Sequence, residues 1–459
     1  MATLIDPTSL AFLMGESKNQ PMHVAGLQLF EPPPGAAPGF IRDAYERAIS
    51  TPELQPLFRR KPEMLIPRVG PWVWTQDRDV DLEFHVRHSA LPEPGRIREL
   101  LELVSRLHGS AMTRDRPMWE THVIEGLADG RFAIYTKLHH SLVDGISAMR
   151  LLARSMSTDP DERDMPFPFE RRMDLPAHTR PAVARPDVLR ALRSGLALSA
   201  EAAGMPSAMI STLSRGARGH VSAVSFGAPK SAFNVPISSA RRFAADSWPL
   251  ARLLAVGKAT GTTLNDVVLA MCGGALRAYL LDLNKLPEQS LVSMVPIGLK
   301  SRSASSEGGN AVGSVMVKLE TQTGDAGVRL AAITASMQSG KEALAAMSPA
   351  QIVAVSGLGM LPSLALPALG FYGVRPFNLV ISNVPGAREV RYFNGARLTD
   401  TYPVSIPFNG QALNITCNSY ADSMGFGLTG CRRAVPSLQR ILGHLDDELV
   451  ALEVAAGLS

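Results

Sequence analysis

Between Pro160 and Pro186 the chain reads PDERDMPFPFERRMDLPAHTRPAVARP, six prolines set among charged side chains. Proline supplies no backbone N–H and clashes with the preceding turn, so neither a helix nor a central strand runs through such a stretch. The 459 residues are therefore expected to form two units, 1–159 and 231–459. Residues 160–230 would serve as a linker followed by bridging helices over the Ala- and Leu-rich segment 187–220. Each unit is long enough to bury a core of its own. On both sides of the break, short apolar runs alternate with helical stripes, the pattern of a mixed α/β architecture. HVAGLQLF at 23–30, His122–Glu125 and FAIYTKL at 132–138 read as strands, and Ile97, Leu100, Leu101, Val104 and Leu107 fall on one helical face. Farther on, residues 290–297, 313–319, 377–382, 412–419 and 425–429 read as strands. The last two are expected to form a hairpin around Ala421-Asp422-Ser423, and Leu438 to Leu452 closes the chain as an amphipathic helix.

Composition narrows the functional classes. With 46% hydrophobic and 19% charged residues the chain is globular, and a net charge of +4 without charge blocks excludes a nucleic-acid footprint. Cys272, Cys417 and Cys431 are too scattered for a disulfide framework or a zinc site, which fits a reducing compartment. MATLIDPTSLAFLMGESKNQ lacks a basic n-region and does not read as a signal peptide, so a cytoplasmic location is expected. Residues 343–374 carry no Asp, Glu, Lys or Arg. Pro349, Pro362 and Pro367 argue against a single spanning helix there and favour buried core or pocket lining.

The strand FAIYTKL runs directly into His139-His140-Ser141-Leu142-Val143-Asp144-Gly145 and then into a helical stripe from Ile146 to Arg154. Side chains alternate along a strand, so one imidazole can face a cleft while the other packs inward. A neutral histidine can take a proton from an attacking hydroxyl near neutral pH. Asp144 can fold back as an orienting or structural carboxylate, and Gly145 permits a tight turn. Adjacent histidines on a strand diverge and no HExxH partner accompanies them, so a metal site is not indicated. GxSxG, GxxxxGK[ST] and GxGxxG are absent, and Cys272 sits in an apolar helix, so direct transfer without a covalent intermediate is favoured. Thr263-Leu264-Asn265-Asp266 reads as a capping box for Asp266, whereas Asn265 can offer its amide to an oxyanion or to the base.

HHSLVDG resembles the HHxxxDG signature of acyl-CoA-dependent acyltransferases. Nearly the whole chain is similar to the bacterial bifunctional wax ester synthase/acyl-CoA:diacylglycerol acyltransferases, through PMHVAGLQLF, RPMWETHVIEGL, the Asn265-Asp266 pair, MVPIGLK, GGNAVGS around Asn310, and SNVPGA around Asn383. The resemblance implies two chloramphenicol-acetyltransferase-like α/β subdomains, with mixed sheets flanked by helices, a crossover and a tunnel between them. It also implies esterification of a long-chain alcohol or diacylglycerol by fatty acyl-CoA, and no metal or prosthetic cofactor. His140 would be the base, with His139, Asp144 and Gly145 in support. Pro117, Trp119, Asp266, Asn310 and Asn383 would be structural motif positions, Asn383 shaping a turn, and Gly357 would line an acyl or alcohol pocket. Met118 replaces the usual leucine without a change of volume. Lys300 stands where relatives carry arginine and cannot reproduce its fork. Substrates of this kind would bring the protein to a membrane or lipid-droplet surface. Two rivals are an acyltransferase fed by a carrier-protein or polyketide donor, and an idle lipid-binding protein that keeps the fold.

Overall fold

The computed structural model describes residues 2–66, 70–171, 227–298, 312–345, 347, 351–352 and 375–458. Its strands are β1 (Thr3–Leu4), β2 (His23–Glu31), β3 (Arg60–Met64), β4 (Trp72–Gln76), β5 (Val86–Ala90), β6 (Trp119–Glu125), β7 (Phe132–His139), β8 (Arg241–Pro249), β9 (Val292–Gly298), β10 (Val312–Lys318), β11 (Leu379–Val384), β12 (Tyr392–Phe393), β13 (Ala396–Val404), β14 (Leu413–Tyr420) and β15 (Ser423–Cys431). The helices are α1 (Pro7–Gly15), α2 (Phe40–Ile49), α3 (Leu82–His85), α4 (Ile97–Gly109), α5 (Gly145–Arg154), α6 (Leu250–Thr260), α7 (Leu264–Asp282), α8 (Ala326–Ala345) and α9 (Arg440–Ala455).

Two six-stranded mixed sheets carry the molecule. The first has the order β12-β13-β2-β7-β6-β5 and the second β10-β9-β11-β14-β15-β8, with β1-β4-β3 as a small third sheet. Strands β2 and β7 are buried on both faces because helices cover both. Ala25, Leu27, Leu29 and Tyr135 meet Leu100 and Val104 of α4, while Val24, Phe30 and Leu138 cluster with Ala148 of α5. The second core is built around α7, buried along most of its length, and the Ile441, Leu445, Leu449 and Leu452 stripe of α9. Among the described residues α7 is the one helix long and apolar enough to cross a membrane, and most of it is enclosed by this core.

Three placements differ from the sequence expectation. The start of the proline-rich segment is seated in the first core. Met165, Phe167 and Phe169 are buried, Phe169 stacks on Trp119 at 5.0 Å, and the Phe169 carbonyl accepts the Gln55 amide at 2.8 Å. Proline ended regular structure there, but the aromatics between the prolines found an apolar seat. Asn383 lies inside β11, paired in parallel register with Cys417, rather than in a turn. The chain bends after it at Pro385-Gly386, where a Cβ on Gly386 would lie 2.0 Å from the Ser419 carbonyl oxygen. Finally, β12 and β13 belong to the first sheet, with Leu27 opposite Tyr402 and Ala25 opposite Val404, so residues 392–404 cross back from the second half.

Candidate active site

Strand β7 ends at His139, and its backbone is held there from both sides. The Met118 carbonyl accepts the His139 N–H at 3.0 Å, and the Met22 carbonyl accepts the His140 N–H at 2.8 Å. Pro117-Met118-Trp119 thus acts through its backbone on the motif. The Trp119 ring is buried, donates its indole N–H to the Phe58 carbonyl at 2.9 Å and stacks on His85 at 4.5 Å.

The odd-numbered side chains of β7 face α4. Tyr135 meets His108 Nδ1 at 2.8 Å, and the Lys137 ammonium donates to the Leu107 and Ser110 carbonyls, each at 3.1 Å, beside the Glu120 carboxylate at 3.1 Å. His139 continues this face and is fully buried. Its Nδ1 accepts the Ser141 N–H at 3.1 Å with the Ser141 hydroxyl at 2.7 Å, which leaves the proton on Nε2. That nitrogen faces Glu16 at 3.5 Å. Glu16 also accepts the Met22 N–H at 3.2 Å and pairs with Arg114 at 3.2 Å. Burial acts to raise the Glu16 pKa, but His139, the Met22 amide and Arg114 together hold it below the ordinary carboxylate value. Opposite His139 across the ladder stands His23, whose Nε2–H donates to the His108 carbonyl at 2.8 Å. His108 in turn donates to the Ser405 carbonyl at 2.9 Å, just past β13. Burial pushes the His108 imidazole down to about 3 and His23 well below its usual value.

His140 lies one residue beyond the strand and is half-buried. Phe12 of α1 stacks on its ring, centroids 4.0 Å apart. Burial pushes its pKa down to about 4, against the opposing pull of the Asp144 carboxylate. Near neutral pH the ring is therefore a free base. Asp144 is the N-cap of α5, accepting the Ser147 N–H at 2.8 Å and the Ser147 hydroxyl at 2.9 Å. Its work is to fix where the loop turns into the helix. Gly145 opens α5 and does not have a positive φ, so the expected tight turn is not its reason. A Cβ there would meet nothing within 4 Å, so close packing does not require the glycine either.

The other sequence candidates fall elsewhere. Asp266 caps α7 in the second subdomain, its Oδ2 accepting the Thr263 N–H at 2.9 Å and the Thr263 hydroxyl at 2.6 Å. Asn265 stands beside it, half-buried at the first turn of α7. Lys300, Asn310 and Gly357, with most of the apolar 343–374 stretch, lie outside the described residues. Glu16, Arg114 and Phe12 were not singled out from sequence. Glu16 follows a short helix in a polar loop, and only the folded chain brings it to His139. Burial pushes the Cys272 thiol pKa up, which fits inert packing.

The fold and the loop at the end of β7 together define an HHxxxDG acyltransferase. A family model described as the wax ester synthase/diacylglycerol acyltransferase catalytic domain matches residues 5–268, and one described as the WS/DGAT C-terminal domain matches residues 308–453. The chain belongs to this family. A putative diacylglycerol O-acyltransferase of Mycobacterium tuberculosis is 49% identical over 457 residues, covering 99% of this chain and 100% of the relative. A probable diacylglycerol O-acyltransferase of the same organism is 45% identical over 459 residues, 99% of this chain and 100% of its own length. The solved wax ester synthase/diacylglycerol acyltransferase from Marinobacter aquaeolei VT8 is 41% identical, with a TM-score of 0.80 over 99% of this chain and 100% of that one. The first condensation domain of the CDA synthetase, at 14% identity and a TM-score of 0.59 over 99% of this chain and 96% of that one, shares the fold.

Proposed function

We propose that this protein transfers a long-chain acyl group from acyl-CoA to the hydroxyl of a long-chain alcohol or of diacylglycerol, with His140 as general base. The observation that carries the reading is a half-open imidazole kept neutral by burial at the end of a rigid strand. The hydroxyl proton passes to the free ring nitrogen as the oxygen attacks the thioester carbonyl. The C–O bond forms, and the tetrahedral intermediate collapses with cleavage of C–S. The imidazolium then returns the proton to the departing thiolate. His139 is a positioning residue. Its Nδ1 is held by Ser141 and its Nε2 faces the Glu16–Arg114 pair, which orients the strand end that precedes His140.

The reaction asks for no metal or prosthetic group, since the thioester is already activated. Acceptors of this kind dissolve in lipid rather than water, which supports a peripheral attachment to membrane or lipid droplets. The names of the relatives support the same acceptors.

Thiol release from palmitoyl-CoA, measured with and without hexadecanol or dioleoylglycerol and with the ester identified by mass, tests the reading. Acceptor-dependent release is expected, and His140→Ala should lower it on the order of 10²–10⁴-fold while the melting curve is kept. Release from palmitoyl-acyl-carrier protein but not from palmitoyl-CoA would move the donor to a carrier protein. Binding of lipid without release from either would leave an idle lipid-binding fold.

A further inference from the structure

Lys230, Lys285 and Arg433 line one cavity of about 790 Å³, together with Asn19 and Ser238, and no carboxylate is among the described residues around it. A fourth cation stands behind its wall. The Arg241 guanidinium is buried, at 4% exposure, and its hydrogen bonds go to the backbone carbonyls of Asn19 and Ser238, both of them lining residues. Carbonyl dipoles satisfy its N–H groups without cancelling its charge. Three cations around one concavity with a fourth beneath it and no carboxylate among the lining residues give the cavity a positive potential, which favours an anion of several charges. Ala232, Val235 and Pro236 give the same cavity an apolar side.

The cavity is tied to the reacting centre. Asn19 lies three residues before Met22, so their Cα atoms are within about 11 Å, and the Met22 carbonyl holds the His140 N–H at 2.8 Å. Gln20 accepts the Asn409 N–H at 2.6 Å, and Asn409 accepts the Ile237 N–H at 3.0 Å, which fixes the cavity wall to that same stretch of chain.

We infer that this cavity receives the phosphorylated nucleotide end of the donor, with Lys230, Lys285 and Arg433 on the phosphates and the apolar side against the purine. The inference rests on the acyl-CoA reading above. Its test is the triple charge reversal Lys230→Glu, Lys285→Glu and Arg433→Glu, all at exposed positions, with thermal unfolding as the check on folding. The KM for palmitoyl-CoA is expected to rise on the order of tenfold, the sum of three partly screened charge contacts. No such rise is expected with palmitoyl-pantetheine, which lacks the nucleotide. Calorimetric titration with 3′,5′-ADP should show binding to the unmodified protein, weakened by salt and lost in the variant.

An equal KM rise with both donors, or no 3′,5′-ADP binding to the unmodified protein, overturns the inference. Loss of sedimentation with phosphatidylglycerol vesicles at unchanged KM also overturns it and gives the cavity to a lipid phosphate. If the unmodified protein turns over neither donor, the acyltransferase reading fails, and the 3′,5′-ADP titration still decides the cavity.

Discussion

The two sheets have the same number of strands and opposite interiors. Behind β2, β6 and β7 the first sheet buries His23, Glu120, His122, Lys137 and His139. The strands of the second bury hydroxyls and amides, among them Ser293, Ser314, Thr416, Asn418 and Thr429, with Arg241 at the very start of β8 as their buried charge among the described residues. Buried ionisable groups are costly unless they are paired. Within the first sheet they concentrate behind the strand that carries His139 and His140, whereas in the second half buried Arg329, paired with Glu448, and buried Asp266 lie on helices, off the sheet. His140→Ala is the deepest cut into this contrast, since it removes the proposed base and leaves both interiors intact.

Next in size is the ion pair under the first sheet. Lys137→Met leaves Glu120 buried without its ammonium, and a loss of about 3–5 kcal/mol is expected in urea unfolding. The double variant Lys137→Met with Glu120→Leu should be much less destabilised, because it removes both charges. A double variant as unstable as the single one would mean that the pair is not what holds this interior.

The contrast also has a pH signature. His23, His85, His108, His122 and His140 all have folded pKa values below the ordinary 6.5, each with burial as the main cause, and all lie in the first half. As pH falls through 6.5 the unfolded chain takes up protons that the folded chain refuses until about 4 at His140 and about 3 at His108. These histidines therefore contribute stability that is present above 6.5 and lost below it, by about 1.4 kcal/mol per pH unit for His108 and for His140. Unfolding free energies between pH 7.5 and 5 read this slope, against which Glu448, pushed up to about 7 by burial, works in the opposite sense, and His108→Gln should lower the slope by one histidine's share. A flat profile would contradict the buried neutral set.

The smallest effect belongs to the second half. Thr263→Ala removes the cap of α7 and should cost about 1 kcal/mol. A loss several times larger would show that the Thr263–Asp266 pair does more than cap a helix.

What was legible in sequence follows from the same physics. β2 and β7 were readable because both of their faces are buried and their apolar runs are nearly unbroken, and β14 and β15 because Leu413, Ile415 and Cys417 and then Met424, Phe426 and Leu428 alternate with small or polar residues on either side of a turn. β8 and β13 were not, since RRFAADSWP and ARLTDTYPV mix charges and prolines into strands whose polar groups find partners only on folding. Asp400 is an example, paired with Arg131 at 2.7 Å. The HHSLVDG loop marked His140 as a candidate and Asp144 as an orienting or structural carboxylate, whose role as the cap of α5 emerged only in the fold. Glu16 and Arg114 carried no local signal, because their meeting with His139 is a contact between distant segments. Asn383 and Pro385 read in sequence as shaping a turn, yet the pairing of Asn383 with β14 extends the strand up to that point.

The return of β13 to the first sheet bears on how the molecule is made. Thr399 donates its hydroxyl to the Leu29 carbonyl across a sequence separation of 370 residues, so β2 has no neighbour on that side until almost the whole chain has left the ribosome. Throughout translation the nascent N-terminal half would present an apolar, unpaired edge of the kind that recruits other strands. Fragments ending before residue 404 should accordingly depend on chaperones or fall into inclusion bodies, and the catalytic half should not be obtainable as a free-standing domain.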